Sequence, residues 1–294
     1  MSTSLPKPIV SVQDLTHIYH LGTSLEKKAL EGISFEICEG ECVAIVGETG
    51  SGKTTLVQHL NGLLKPDLGR VLVESVDISQ SPVSLADLRR RVGLVFQYPE
   101  HQLFEETVGD DISFVLRQNS TLPPIEIMAR VKNACASVGL DYERFHRRSP
   151  FELSSGEMRR VALAGVLVQD PKILILDEPT VGLDPEGKRE ILMEIGDLRR
   201  AGKTVIVVSH RVEDLLPLMD RLIVLDRGKI CVGGTPIEVF SFLLREKKFL
   251  FLVPPIFQLM AELREEGWDI PGEAVCTEEA LLALQKNLPS PVRR

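Results

Sequence analysis

The sequence predicts an α/β fold with a mainly parallel sheet core, an antiparallel β subdomain formed by its first strands, and an inserted helical region. Three observations carry this. Cys42-Val43-Ala44-Ile45-Val46 is a β-favouring apolar run that leads into a glycine-rich loop and then a helical pattern. Ile173-Leu174-Ile175-Leu176 and Val205-Ile206-Val207-Val208 are continuous apolar runs, as strands covered on both faces require. A helical stretch from Glu186 to Ala201 lies between those two runs, whereas residues from about 98 to 170 are mostly helical in period.

The elements follow in order. From Ile9 to Ile37 apolar and polar residues alternate, with a polar loop from Gly22 to Lys28 between two strands. After the glycine loop, Thr54 to Leu60 reads as a helix that stops at Gly62 to Pro66. Val71-Leu72-Val73 is a strand, Ser84 caps a short helix, and Val92 to Phe96 is a further buried strand followed by Gln97. Ile125 to Val138 is an amphipathic helix closed by Gly139, and a second helix runs from near Ser154 towards Gln169. Leu222 to Leu225 and Lys229 to Val232 form a strand pair around Arg227-Gly228. From Pro236 the pattern is helical, broken at Pro254-Pro255 and Pro271 and closed by Pro289 and Pro291. We read residues 1–240 as one domain with its helical insert at about 98–170, and 241–294 as a C-terminal helical extension.

Composition narrows the class. A chain of 294 residues with 44% hydrophobic and 26% charged residues is globular rather than disordered. A formal net charge of −8 argues against a general nucleic-acid binder. The five cysteines (Cys38, Cys42, Cys135, Cys231 and Cys276) form no C-x-x-C pair, suit a reducing compartment and read as small core fillers. Met1 to Pro8 contains no apolar signal core, and the apolar stretch Phe249 to Met260 is broken by prolines and too short to span a bilayer.

The chemistry starts at Gly47-Glu48-Thr49-Gly50-Ser51-Gly52-Lys53-Thr54, which fits G-x-x-x-x-G-K-[ST] between a strand and a helix. Glycines let backbone N–H groups converge on phosphate oxygens at the positive end of the helix dipole. Lys53 would reach the β- and γ-phosphates, and the Thr54 hydroxyl would ligate Mg²⁺. Ile173 to Leu176 run into Asp177-Glu178, placing one acid for the Mg²⁺ shell and the next to polarise an attacking water. Gln97 and His210 follow two other core strands, and strand ends at the carboxyl edge of a parallel sheet are where ligands bind. Two bland readings compete: a chance glycine turn, and a strand that ends in two surface acids.

Leu153-Ser154-Ser155-Gly156-Glu157, taken with Lys53, Gln97, Asp177-Glu178, Val181-Gly182-Leu183-Asp184 and His210, resembles an ATP-binding-cassette ATPase over roughly residues 9 to 240. The resemblance implies a P-loop NTPase fold, ATP and Mg²⁺ as cofactors, and a head-to-tail dimer with two composite ATP sites. It implies Glu178, His210 and Gln97 as catalytic groups and Thr54, Gln97 and Asp177 around the metal. Tyr19 would stack on adenine, and Gly47, Glu48, Thr49, Gly50, Ser51, Gly52, Lys53, Thr54 and Thr55 would hold the nucleotide. Ser154, Ser155, Gly156, Glu157 and Asp184 would serve the partner's nucleotide and the dimer contact.

A narrower resemblance rests on Gln97-Tyr98-Pro99-Glu100-His101-Gln102-Leu103-Phe104, Gln58 to Leu64 and Ser149 to Leu153. These segments are similar to the ATPase subunits of energy-coupling-factor importers, which take up vitamins, nickel and cobalt. Thr49 and the segment Gly22 to Leu30 look more like the second of the paired subunits in vitamin systems. That implies a heterodimer in preference to a homodimer, a transmembrane coupling protein received at residues 98–104, and a separate substrate-binding membrane protein. It also implies a peripheral position on the cytoplasmic face of the membrane, no nucleic-acid partner, and a dimer-holding role for the tail. Another ABC importer, or a nontransport ATPase of ribosomes or DNA, are the alternatives. The DNA-repair kind needs a long heptad insertion that is absent, and the translation kind normally carries two cassettes in one chain.

The chain departs from the family's Leu-Ser-Gly-Gly-Gln at Ser155 and Glu157. Ser154-x-x-Glu157 is a capping box, which a glutamate completes as well as a glutamine and which suits the helix dipole. Against that, a carboxylate about 8 Å from a γ-phosphate charge costs roughly 2 kcal/mol at an effective dielectric near 20. The sequence therefore leaves two outcomes open, a working but modified signature and a weakened partner site.

Overall fold

The computed structural model describes residues 8–80, 84–98, 102–119, 121–268, 270 and 277–287. β1 (Pro8–Tyr19) and β2 (Lys27–Cys38) pair antiparallel. Six further strands, β3 (Cys42–Val46), β6 (Val92–Val95), β7 (Ile173–Asp177), β8 (Thr204–Ser209), β9 (Arg221–Asp226) and β10 (Lys229–Gly234), form the central sheet in the order β10-β9-β3-β8-β7-β6. Its strands are parallel except β10, which turns back on β9. β4 (Leu68–Val73) and β5 (Val76–Asp77) join β1 and β2 in a separate antiparallel sheet, as the early alternation predicts.

The continuous apolar runs have a direct cause. Every residue of β3, β7 and β8 is buried, and successive side chains enter opposite cores. Cys42, Ala44 and Val46 face one core with Leu174, Leu176, Val205 and Val207. Val43 and Ile45 face the other with Ile173, Ile175, Ile206 and Val208. The second core also takes Leu56, Val57 and Leu60 of α1 (Lys53–Leu60), Leu88 of α2 (Leu85–Arg91) and the inner face of the antiparallel sheet. Ser84 caps α2 by accepting from the Asp87 N–H at 3.2 Å.

The first core receives the helical insert: α3 (Val108–Asn119), α4 (Pro124–Ser137), the short α5 (Tyr142–Phe145) and α6 (Ser155–Leu167). α7 (Pro185–Arg200) crosses from β7 to β8 and adds Ile191 and Ile195 to the same core. The chain then continues through α8 (Pro236–Glu246), α9 (Pro255–Glu265) and α10 (Thr277–Asn287).

Some expectations need correcting. A boundary at residue 240 falls inside α8, whose Val239, Phe240 and Leu243 are buried in the first core together with Leu252, Val253 and Phe257. Phe240 and Phe257 meet edge to face at 5.5 Å, so Pro254-Pro255 bends the chain without ending that core. A separate small cluster of Met260, Ile270, Ala280 and Ala283 begins only after Phe257. In the sequence, His17 and His20 near Tyr19 read as surface residues rather than metal ligands; His17 is instead buried, whereas His20 is exposed. Trp268, which reads in the sequence as a packing residue of the tail, is 41% exposed. Cys42 and Cys135 are buried fillers, and Cys38 and Cys231 are partly covered. Met1 to Lys7, Pro99 to His101, Pro271, Cys276, Pro289 and Pro291 lie outside the described residues. Among the described residues no helix is long and apolar enough to cross a membrane.

Arg160 on α6 pairs with Glu190 on α7 and stands 3.7 Å from Glu194 one turn further on. Burial pushes the Glu194 carboxyl up to about 7, with Arg160 opposing and Glu190 and Asp197 adding to the rise. Its ionisation therefore costs stability progressively as pH rises from about 4.5 to about 7, and the cost is complete above that. Glu194→Gln removes the cost, on the order of 3 kcal/mol. The melting temperature of Glu194→Gln relative to the parent protein should be higher at pH 8 than at pH 5. An equal difference at both pH values would show that burial does not govern this group.

Candidate nucleotide site

The loop between β3 and α1 is built around glycines that nothing else can replace. Gly47 has φ +150°, and a Cβ there would stand 2.2 Å from the Leu225 carbonyl oxygen. Gly52 has φ +105°, and its Cβ would meet the Ala29 carbonyl oxygen at 2.7 Å. Gly52 is also the N-cap of α1 and supplies no side-chain cap, which leaves the first helical N–H groups free for a ligand. Ser51 Oγ is buried without a hydrogen-bond partner, an orphan donor within the same cradle.

Lys53 opens α1 and folds back over the loop, its ammonium donating to the Gly47 and Glu48 carbonyls at 2.8 and 2.9 Å. Burial lowers its pKa, while Glu178 and Asp177 pull it the other way. The Thr54 hydroxyl donates to Asp177 Oδ2 at 3.2 Å, across from the end of β7. Asp177 is pushed upward by burial, and the Thr54 bond partly offsets the rise. An all-oxygen pair from two elements fits a hard divalent cation.

Glu178 leaves β7 with φ +51°, a conformation rare outside glycine. Its N–H stays on the Val208 carbonyl at 2.8 Å, so the turn is held against β8. This turn aims the carboxylate at the end of β8, where His210 Nδ1 meets Oε1 at 2.9 Å and the Ser209 hydroxyl donates to Oε2 at 3.3 Å. Ser209 escaped sequence reasoning because a serine beside a histidine carries no signal by itself.

A cleft of about 680 Å³ gathers these groups. Tyr19, Thr49, Gly50, Gly52, Lys53, Thr54, Thr55, Gln97, Asp177, Glu178 and His210 all line it. The Tyr19 hydroxyl lies 3.2 Å from Thr55 Oγ1, and its ring stands edge-on to His17. His17 in turn meets His59 at 4.7 Å, so the rings back one another behind the cleft. His17 Nδ1 is 3.3 Å from Asp67 Oδ2, within reach of charge attraction though without hydrogen-bond geometry. Lys27, Lys28, Tyr98 and Arg227 also line the cleft and were not foreseen. The first opens β2 and the last lies in the β9–β10 turn, so only the three-dimensional pairing of two sheets reveals them.

A family profile described as ABC transporter matches residues 30–181, just over half of the chain. The EcfA2 energy-coupling factor transporter ATP-binding protein of Clostridium tetani is 46% identical over 278 residues, covering 94% of this chain and 96% of that relative. Its counterpart from Symbiobacterium thermophilum is 49% identical over 278 residues, covering 95% and 96%. The chain belongs to the ABC transporter family. Within it, the chain is an ATP-binding subunit of the energy-coupling-factor type, an ATPase that works in transport. CbiO1 from Clostridium perfringens, part of the cbiONQ complex, superposes with a TM-score of 0.72 at 40% identity, covering 86% of this chain and 99% of CbiO1. The cassette MJ0796, solved as a dimer after hydrolysis with ADP and Pi, gives 0.70 at 28% identity, covering 77% and 98%.

In this ABC subunit the signature residues stand apart from its own cleft, since Ser154, Ser155, Gly156 and Glu157 do not line it. The predicted capping box is formed: Ser154 N–H donates to Glu157 Oε2 at 2.9 Å, and Glu157 N–H donates to Ser154 Oγ at 3.3 Å. That backbone bond is the main cause of a lowered Glu157 pKa. Nothing lies within 4 Å of a Cβ built on Gly156. Asp184 is likewise outside the cleft and caps α7, accepting from the Gly187 N–H at 2.8 Å.

If Tyr19 carries the base, Tyr19→Ala should lose about 1–3 kcal/mol of stacking, roughly 5- to 150-fold in the dissociation constant of a fluorescent ATP analogue. Tyr19→Phe should bind as the parent does, and inorganic tripolyphosphate should bind all three equally. Equal loss of tripolyphosphate binding in Tyr19→Ala would show instead that the loop had been disturbed.

Proposed function

We propose that this subunit binds Mg·ATP in the cleft between Lys53, Thr54, Asp177 and Glu178, and hydrolyses it only when a second cassette closes over it. One observation carries this reading: the phosphate-binding groups line the cleft while Ser154 to Glu157 and Asp184 lie outside it. That is half of a composite site. Thr54, Asp177 and Gln97 would hold Mg²⁺, which when bound neutralises charge developing on the phosphates. Glu178 holds a water for in-line attack, and the bond from His210 fixes the carboxylate that does so. Lys53 exchanges its two carbonyl partners for phosphate oxygens when ATP enters.

The partner is a second, different cassette subunit, supported by the similarity to the EcfA2 proteins. A transmembrane coupling protein docks at the segment after Gln97, where Tyr98 and Phe104 are exposed and Phe104 packs edge-on to Phe114 at 4.8 Å. This holds the subunit on the cytoplasmic face of the membrane, and a separate membrane protein binds the vitamin or metal ion. The tail from about residue 241, with its own small core after Phe257, contributes to the dimer contact.

Glu178→Gln mixed with its candidate partner and ATP should accumulate as a closed pair by size-exclusion chromatography. No ATP-dependent pair with any candidate would count against the composite-site reading. Glu157→Gln should leave turnover at the partner's site unchanged if the capping box suffices, since a glutamine completes it equally well. A gain at that site alone would identify the carboxylate as inhibitory.

A further inference from the structure

Arg159 lies on the buried side of α6, two residues beyond the signature glutamate, with only 7% of its surface exposed. Its guanidinium donates to the Pro179 carbonyl at 2.5 Å and to the Gln97 carbonyl at 3.2 Å. These acceptors are not arbitrary. Pro179 directly follows Glu178, and Gln97 is the polar residue at the end of β6, so both are next to groups that line the chain's own nucleotide cleft. The adjacent residue, Arg160, points the other way, to Glu190 and Glu194 of α7. One turn of α6 is therefore attached on one side to α7 and on the other to the loops around the γ-phosphate position.

We infer that Arg159 is a positioning residue that couples the two nucleotide sites of the dimer through α6. This rests on the composite-site reading above, in which the N-terminal end of α6 closes the partner's nucleotide. A buried guanidinium fork holds two carbonyls in fixed relation, and bonds to a charged donor are roughly twice as strong as neutral ones. When ATP draws Gln97 and the Glu178 turn towards it, their carbonyls move Arg159 and, with it, Ser155, Gly156 and Glu157. Occupancy of this chain's own site thus sets the angle at which its signature meets the other site. By linkage, closure at the other site must favour the ATP-bound arrangement of this one.

The test uses the purified pair of cassettes with Arg159→Gln or Arg159→Lys, each carried in this chain alone. Hydrolysis is followed against ATP concentration, and ATP-analogue binding is measured on this chain without its partner. Misplacement of a catalytic face by about 1 Å costs up to roughly 100-fold, so Arg159→Gln should lower kcat about 10- to 100-fold and bring the Hill coefficient down towards one. Analogue affinity of the separate chain should stay within about twofold, because Arg159 does not touch nucleotide. Arg159→Lys keeps the charge but not the fork and should recover part of both kcat and cooperativity.

Full parental kcat and Hill coefficient in a folded Arg159→Gln would overturn the proposal. So would a loss of analogue affinity as large as the loss of kcat, which would mark Arg159 as a support of its own site only. If Arg159→Gln melts before it can be assayed, Arg159→Lys decides: parental cooperativity in a folded protein overturns the coupling role. A parent pair whose turnover does not need both cassettes would defeat the composite-site reading instead, and is recognised before any variant is measured.

Discussion

Two carboxylates and one ammonium, each less than a tenth exposed, meet at the carboxyl edge of the central sheet: Asp177, Glu178 and Lys53. Buried charge is expensive unless it is paired and hydrogen-bonded. Here Lys53 leans on two loop carbonyls, Asp177 on Thr54, and Glu178 on His210 and Ser209. The shifts follow suit, Lys53 downward and Asp177 upward, both from burial first. In the Mg·ATP complex proposed above, these internal partners would be exchanged for a polyanion and its cation, which satisfy the same groups with full charges. The glycine loop, the parallel sheet and the turn at Glu178 can all be understood as the means of keeping these groups together.

The sheet does this by register. β3, β8 and β7 are consecutive neighbours, and Val46 pairs with Ser209 while Asp177 pairs with Val208. The phosphate loop, the two acids and the His210 turn therefore leave the sheet at one level, side by side. Burial on both faces prevents slippage, because a shift of one residue would exchange the side chains of the two cores. The mainly parallel core thus fixes the distances among Lys53, Asp177, Glu178 and His210, and the antiparallel sheet brings Tyr19 and Lys28 to the cleft's other wall.

Much of this was legible in the sequence. The continuous runs at 173–176 and 205–208 have one physical explanation, and the strands they predict are present and fully buried. The glycine loop was legible because its spacing is dictated by close backbone approach, as the 2.2 Å and 2.7 Å clashes at Gly47 and Gly52 illustrate. The capping box at Ser154 and Glu157 is a local pattern, and local patterns survive folding. What failed was set by long-range packing. The burial of His17 depends on His59 and Tyr19 meeting it across two elements. The end of the first core depends on Phe240 reaching Phe257 across a double proline. Lys27, Lys28 and Arg227 were invisible for the same reason, as charged residues at a strand start or in a turn look alike until two sheets bring them to one cleft.

The altered signature can be weighed on the same terms. Glu157 Oε2 accepts from both the backbone N–H and the hydroxyl of Ser154, so its charge is turned onto the start of its own helix. A carboxylate held there is stabilised by the unpaired N–H groups and positive dipole of α6. Its lowered pKa means that it remains ionised at neutral pH, with the charge already compensated locally. The roughly 2 kcal/mol repulsion that an uncompensated carboxylate would impose at 8 Å is thereby reduced. Ser155 is exposed at the first helical position, and Gly156 beside it keeps open space on its outer side. In the composite site proposed above, the backbone at that point is open to approach by the partner's nucleotide. Within the proposed composite site, these contacts support a working but modified signature over a weakened one.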